Sequence, residues 1–148
     1  IIIIDLDVHQ GDGTASIFTG KKKVFTFSMH CDSNFPLKKM KSNIDIPLEK
    51  GTGDEQYIQI LKKNIRIIEQ MNYDIIFFQA GVDILSKDSM GHLNITKNGI
   101  KQRNELILNL SENKNIPLVI FMGGGYSKPI SHTVDSFVDL FLQSAKYC

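Results

Sequence analysis

Wholly apolar runs recur along this chain, at residues 1–4 (IIII), within 73–81 (YDIIFFQAG) and within 116–125 (IPLVIFMGGG). They are rich in β-branched and aromatic residues and show no polar alternation, a pattern that predicts strands buried on both faces, as in parallel sheets covered by helices. Residues 24–29 (VFTFSM) form a second strand candidate. Between these runs the period changes. TGDEQYIQILKKNIRIIEQM carries apolar residues at Tyr57, Ile58, Leu61, Ile65 and Ile68, which predicts an amphipathic helix capped by Thr52 or Asp54 with acids in its first turn. TKNGIKQRNELILNLSEN predicts a second helix capped by Thr96, and SKPISHTVDSFVDLFLQSAKYC a third with Pro129 near its first turn. Residues 31–52 read as loop, punctuated by Asn34, Pro36, Asn43, Pro47 and Gly51. Strands alternating with helices imply βαβ units, so the expected class is α/β: a parallel sheet flanked by helices, in one domain.

The opening run also begins without methionine, and a strand starting at residue 1 has nothing before it to pair with. The chain is therefore expected to be the C-terminal portion of a longer protein.

Composition narrows the function classes. The 148 residues are 42% hydrophobic and 22% charged, enough for a soluble globular core. Seventeen basic against sixteen acidic residues leave a formal net charge of +1, which offers no field to recruit nucleic acid or an anionic membrane. Lysines 21, 22, 23, 38, 39 and 41 read as solvated loop charges. Cys31 and Cys148 make no disulfide framework, which suggests a reducing compartment, and no apolar stretch approaches the roughly 20 residues of a membrane span. The cytoplasm is the default location, with the nucleus as the alternative for a eukaryotic protein.

Chemistry gathers where the strands end. In an open parallel sheet, ligands bind beyond the carboxyl ends of the strands. The first run ends in Asp5, Asp7 and His9, the run within 73–81 leads to Asp83, and the last to Gly123, Gly124, Gly125 and Tyr126. Residues two apart in an extended segment share a side, so Asp5, Asp7 and His9 are able to project together while Leu6 and Val8 pack behind. An Asp-x-His pair joined by Asp83 makes a three-ligand metal site with an open position, and two carboxylates with one imidazole suit Zn²⁺, with Fe²⁺ or Mn²⁺ as alternatives. Spacing alone leaves Asp5 open as a ligand. The glycine run has two readings: a phosphate cradle before a helix, or a close backbone approach that sets Tyr126 over the site to donate a hydrogen bond to a developing oxyanion.

Taken together, DLDVHQGDG, QAGVDILSKDSMGHLNIT and MGGGY resemble, in this order, the zinc-dependent histone deacetylases, and HQGDGTASIF, GTGDEQY and AGVDIL…GHLNIT are closest in wording to the class IV branch and to bacterial deacetylase-like proteins. The resemblance spans nearly the whole chain. It implies the arginase/deacetylase fold, incomplete on its N-terminal side, with residues 1–148 as the C-terminal part of a single deacetylase domain. It implies Asp7, His9 and Asp83 as metal ligands and Tyr126 as the oxyanion-stabilising residue. Asp5 and Asp12 match carboxylates that orient two tandem histidines, Asp5 with Ser28 matches a structural K⁺ site, and Phe35, Met90 and Gly124 match positions along the acyl-lysine tunnel. The implied reaction is metal-dependent hydrolysis of an N-acyl-lysine amide in a protein, or of a small acetylated amine. This chain departs from the pattern in one respect: His9, His30, His92 and His132 include no adjacent pair, so the chain by itself is expected to be inactive or nearly so. A non-catalytic metal- or acyl-lysine-binding remnant is the alternative from a different class.

Overall fold

The computed structural model describes residues 1–147. The expectation attached to Cys148 lies outside them. Five parallel strands form one sheet: β1 (Ile2–Asp5), β2 (Phe25–Cys31), β3 (Ile44–Leu48), β4 (Ile76–Gln79) and β5 (Leu118–Phe121), in the order β3-β2-β1-β4-β5. Crossovers are made by the helices α1 (Asp12–Phe18), α2 (Asp54–Glu69) and α3 (Lys97–Lys114), and α4 (Ser131–Ser144) follows β5, running into a short 3₁₀ turn at Ala145–Tyr147. The chain is α/β, as its alternating pattern predicts.

The opening isoleucine run is the central strand. Ile4 pairs across to Phe27 of β2 and Phe78 of β4, and these three residues are almost wholly inaccessible, as are Ile2 and Ile76. Helix α3 covers this face, and α2 and α4 each pack on α3. The apolar stripe of α2, comprising Tyr57, Ile58, Leu61, Ile65 and Ile68, is buried as its period predicts.

Four features differ from the expectations. The first concerns the opposite sheet face. It is bare over β1, β4 and β5, where Ile1, Ile3, Phe77, Gln79, Phe121 and Phe18 of α1 line an apolar groove of about 710 Å³. The apolar runs thus reach beyond what the described residues cover. β5 is an edge strand, half-buried, with Phe121 48% exposed. Second, residues 31–52 are not all loop: Ile44–Leu48 forms β3 at the other edge. A strand containing Pro47 fits only at an edge, because proline has no N–H to donate to a further neighbour. Third, α2 has Gly53 at its N-cap and no side-chain cap; the Asp54 carboxylate instead accepts a hydrogen bond from the Thr96 N–H at 2.8 Å, joining the starts of α2 and α3. The Thr96 cap itself stands as expected, its hydroxyl accepting from the Gly99 N–H. Fourth, Lys39 is not a solvated charge: its ammonium donates to the carbonyls of Asp32, Asn34 and Pro36 and holds the loop between β2 and β3. Among the described residues, no helix is long and apolar enough to cross a membrane.

Ile4→Ala removes a side chain packed on every side, and is expected to lower the unfolding free energy by about 2–5 kcal/mol in urea titrations. A loss below about 1 kcal/mol would show that this face of the sheet is not the core.

Candidate metal centre

Beyond β1 the strand gives way to a bend over residues 7–9. Leu6 and Val8 are fully buried, and Asp7 and His9 turn the other way. β4, hydrogen-bonded alongside β1, ends at the same level, and the turn at Ala80 and Gly81 delivers Asp83, which is 2% exposed, to the same spot. One ligand atom from each of Asp7, His9 and Asp83 lies within 4.8 Å of the others. His9 Nδ1 is 3.0 Å from Asp7 Oδ1 and 3.2 Å from Asp83 Oδ2. Backbone orients the carboxylates: Val8 N–H donates to Asp83 Oδ1 at 2.9 Å and Gly124 N–H to Asp7 Oδ2 at 3.1 Å, while His9 N–H donates at 2.9 Å to the same Asp7 Oδ1 that its ring approaches.

The close approach of three chain segments requires glycine. A Cβ at Gly81 would run into the Asp7 carboxylate, and one at Gly124 into the Asp83 carboxylate. Of the two readings of the glycine run, the structure therefore favours close backbone approach, since the Gly124 N–H is already committed to Asp7.

The electrostatics follow from this crowding. Hydrogen bonds to Asp7 and Asp83 push the His9 imidazole up to about 10, against the burial that would lower it. Burial works to raise the Asp7 carboxyl, but hydrogen bonds with the His9 ring, the His9 N–H, Asp83 and the Gly124 N–H outweigh it and hold Asp7 low. Asp83 goes up, chiefly from burial and then from the charge of Asp7. Without an ion, then, the imidazolium neutralises part of the carboxylate charge. This donor set fits a divalent cation: two hard oxygens and a borderline nitrogen, converged and partly open to solvent at His9.

Asp5 is not in the group. The ladder ends at its position, between Ser28 and Gln79, and its Oδ1 accepts a hydrogen bond from the Asp7 N–H at 3.1 Å, so its carboxylate serves its own chain and borders the apolar groove. Burial, then the charge of Asp7, pushes it up to about 8. Asp12 begins α1 and also lies apart from the three. Ser28 is buried beside Asp5 in the sheet, with its hydroxyl 3.0 Å from His30 Nδ1. Phe35, Met90 and Tyr126 are all exposed, on three loops tied to one another.

The ties are residues that sequence reasoning missed. Asn34 donates to the Met90 carbonyl and accepts from the His92 N–H. Asp88 accepts from the N–H groups of Met90 and Gly91 with one oxygen and from that of Tyr126 with the other, at 2.6–2.9 Å. Asp88 in SKDSMG had the signature of a turn-forming aspartate; its reach to Tyr126 had none. Arg103 also escaped notice, although a charged residue on the buried stripe of a helix, between Ile100 and Ile107, was a signal.

Comparison with known proteins agrees with this architecture. A family model described as the histone deacetylase domain matches residues 1–141. An uncharacterized protein of Picosynechococcus sp. is 44% identical over 135 residues, covering 90% of this chain and 45% of that protein. Histone deacetylase 2 of Arabidopsis thaliana is 31% identical over 148 residues, covering 97% of this chain and 38% of its own length. The chain thus spans less than half the length of these curated relatives. The crystal structure of an HDAC homolog complexed with SAHA matches 98% of this chain and 41% of its own, with a TM-score of 0.80 at 21% identity, a likeness of fold. With nearly its whole length matched by the domain model, this chain belongs to the histone deacetylase family.

Proposed function

We propose that this chain is the metal-bearing, C-terminal part of a single deacetylase domain that hydrolyses N-acyl-lysine amides in proteins, or the amides of small acetylated amines. The observation that carries the reading is the convergence of Asp7, His9 and Asp83 at adjacent strand ends, with Gly124, two residues before Tyr126, bonded to Asp7. Zn²⁺ is the ion we assign to it, with Fe²⁺ and Mn²⁺ as the other ions its donors suit. When bound, the ion would polarise the acyl carbonyl and acidify a water.

The chain's own residues divide the remaining work. Asp7, His9 and Asp83 hold the ion, and the N–H groups of Val8, His9 and Gly124 keep the carboxylates aimed. The Tyr126 hydroxyl, exposed on its loop, donates a hydrogen bond to the oxygen that gains charge as the amide is attacked. Phe35, Met90 and Gly124 line the acyl-lysine path, Asp5 and Ser28 hold a structural K⁺, and Asp5 with Asp12 orients the tandem histidines of the family. Those histidines, which would move the protons, are not among this chain's residues. His30 is buried and bonded to Ser28, and the His92 ring is bonded to Ser33, so each is engaged elsewhere. On this reading the chain alone binds the ion without turning over substrate. The buried, free thiol of Cys31 suits a reducing cytoplasm, and the HQGDGTASIF wording supports the class IV branch.

Three outcomes test the assignment. Asp83→Ala in the full-length protein is expected to lose both bound metal, by elemental analysis after dialysis, and deacetylase activity; stoichiometric metal in this variant would refute the ligand set. Tyr126→Phe should keep its metal and lose about 10²–10³-fold in kcat. Because His9 is pushed up to about 10, it carries a proton at neutral pH that an ion must displace, so metal affinity should rise with pH, by about tenfold per unit from pH 7 to 9. Calorimetric titrations in buffers of different ionisation enthalpy should show about one proton released per ion at pH 7, and release of none would remove His9 from the site.

A further inference from the structure

We propose that Arg103 is a positioning residue for the metal site: its guanidinium staples together the two strand ends that carry the ligands. The proposal rests on the reading that Asp7, His9 and Asp83 hold a metal. Arg103 lies on α3, is fully buried, and is the largest of the side chains so enclosed. Its Nη1 donates to the Gly81 carbonyl at 2.6 Å and, at 3.4 Å, to that of Leu6; its Nη2 donates to the Ala80 carbonyl at 3.1 Å. Leu6 immediately precedes Asp7, and Gly81 stands two residues before Asp83. One planar fork thus grips both ligand-bearing segments from below.

The grip answers a need that the sheet creates. Beyond the last rungs of the ladder, β1 and β4 part to make room for the site, and carbonyls on the parting segments are left inside the protein needing donors. A guanidinium presents its donors in a fixed plane, whereas an ammonium is a compact point charge on a flexible stem. The orientation of the fork is itself held, since Asn104 Oδ1 accepts from Nε at 3.1 Å and from Nη2 at 2.9 Å, and the Phe78 ring lies 5.4 Å beneath.

Stability by itself does not explain the choice. None of these hydrogen-bond partners carries a charge, and burial pulls the guanidinium down, outweighing the Asp83 and Asp7 carboxylates that favour the cation, so it remains a costly group for a core to hold. An apolar side chain of similar size would often serve folding equally well or better. What the arginine adds is a set position for residues 6 and 80–81, and through them for Asp7, His9 and Asp83.

The test uses Co²⁺ as the probe and reads both its affinity and its visible absorption, beside the melting of the metal-free protein. Arg103→Lys, which keeps the charge and loses the fork, is expected to fold and to bind Co²⁺ about 10–100-fold more weakly, with an altered absorption band. Asn104→Ala, which leaves Arg103 in place and frees its fork, should shift both in the same direction by less. Unchanged affinity and band in the two variants, whatever happens to melting, would overturn the proposal and leave Arg103 a packing residue. If the unaltered protein binds no Co²⁺, the metal reading itself fails, and the positioning role falls with it.

Discussion

Two carboxylates sharing one imidazole, in a space where neither is well hydrated, is the arrangement on which the rest of this structure depends. Placing Asp7 and Asp83 so close concentrates negative charge that a protein interior tolerates only when it is paired and hydrogen-bonded. The surrounding chain meets that condition in detail. Backbone N–H groups from two segments, residues 8–9 and Gly124, point at the carboxylate oxygens, and His9 lies between the two acids. Gly81 and Gly124 remove the side chains that would hold the segments apart. Arg103 donates to carbonyls of the segments that carry Asp7 and Asp83.

The sheet makes such a cluster accessible. Parallel strands all end on one edge, so segments far apart in sequence arrive together without long excursions. β1 occupies the centre because its residues bury completely on the helix-covered face, and the turn that follows β4 beside it supplies the second acid, Asp83. The edge strands are of lesser quality, one interrupted by Pro47 and the other half-exposed at Phe121. The bare groove over β1, β4 and β5 is a packing surface that the described residues leave uncovered.

Legibility in the sequence followed the range of the interaction. The period-two alternation of Asp7 and His9, the helical period of residues 54–69, and the Thr96 cap are all written within a few residues, and each was readable. Asp83 was readable as well, because it follows an apolar run and a small-residue turn. β3 was not, because its edge position, which excuses Pro47, is a property of the sheet and not of the segment. Asp54 looked like a cap and became a tether between two helix starts, since Thr96 happens to lie beside it in the fold. Lys39, apparently an ordinary loop lysine, found three carbonyls that the local chain turns toward it.

The sequence by itself determined the fold class, the strand ends at which the chemistry gathers and the residue types available there, because these depend on local periodicity and on side-chain donors. Only the tertiary structure decided that Asp5 turns back on its own chain while Asp7 turns to Asp83, and that Arg103 lies under both strand ends. Those outcomes rest on contacts between residues 75, 97 and 117 positions apart. No local pattern encodes such distances; they are set when the parallel strands pack side by side and α3 is laid across them.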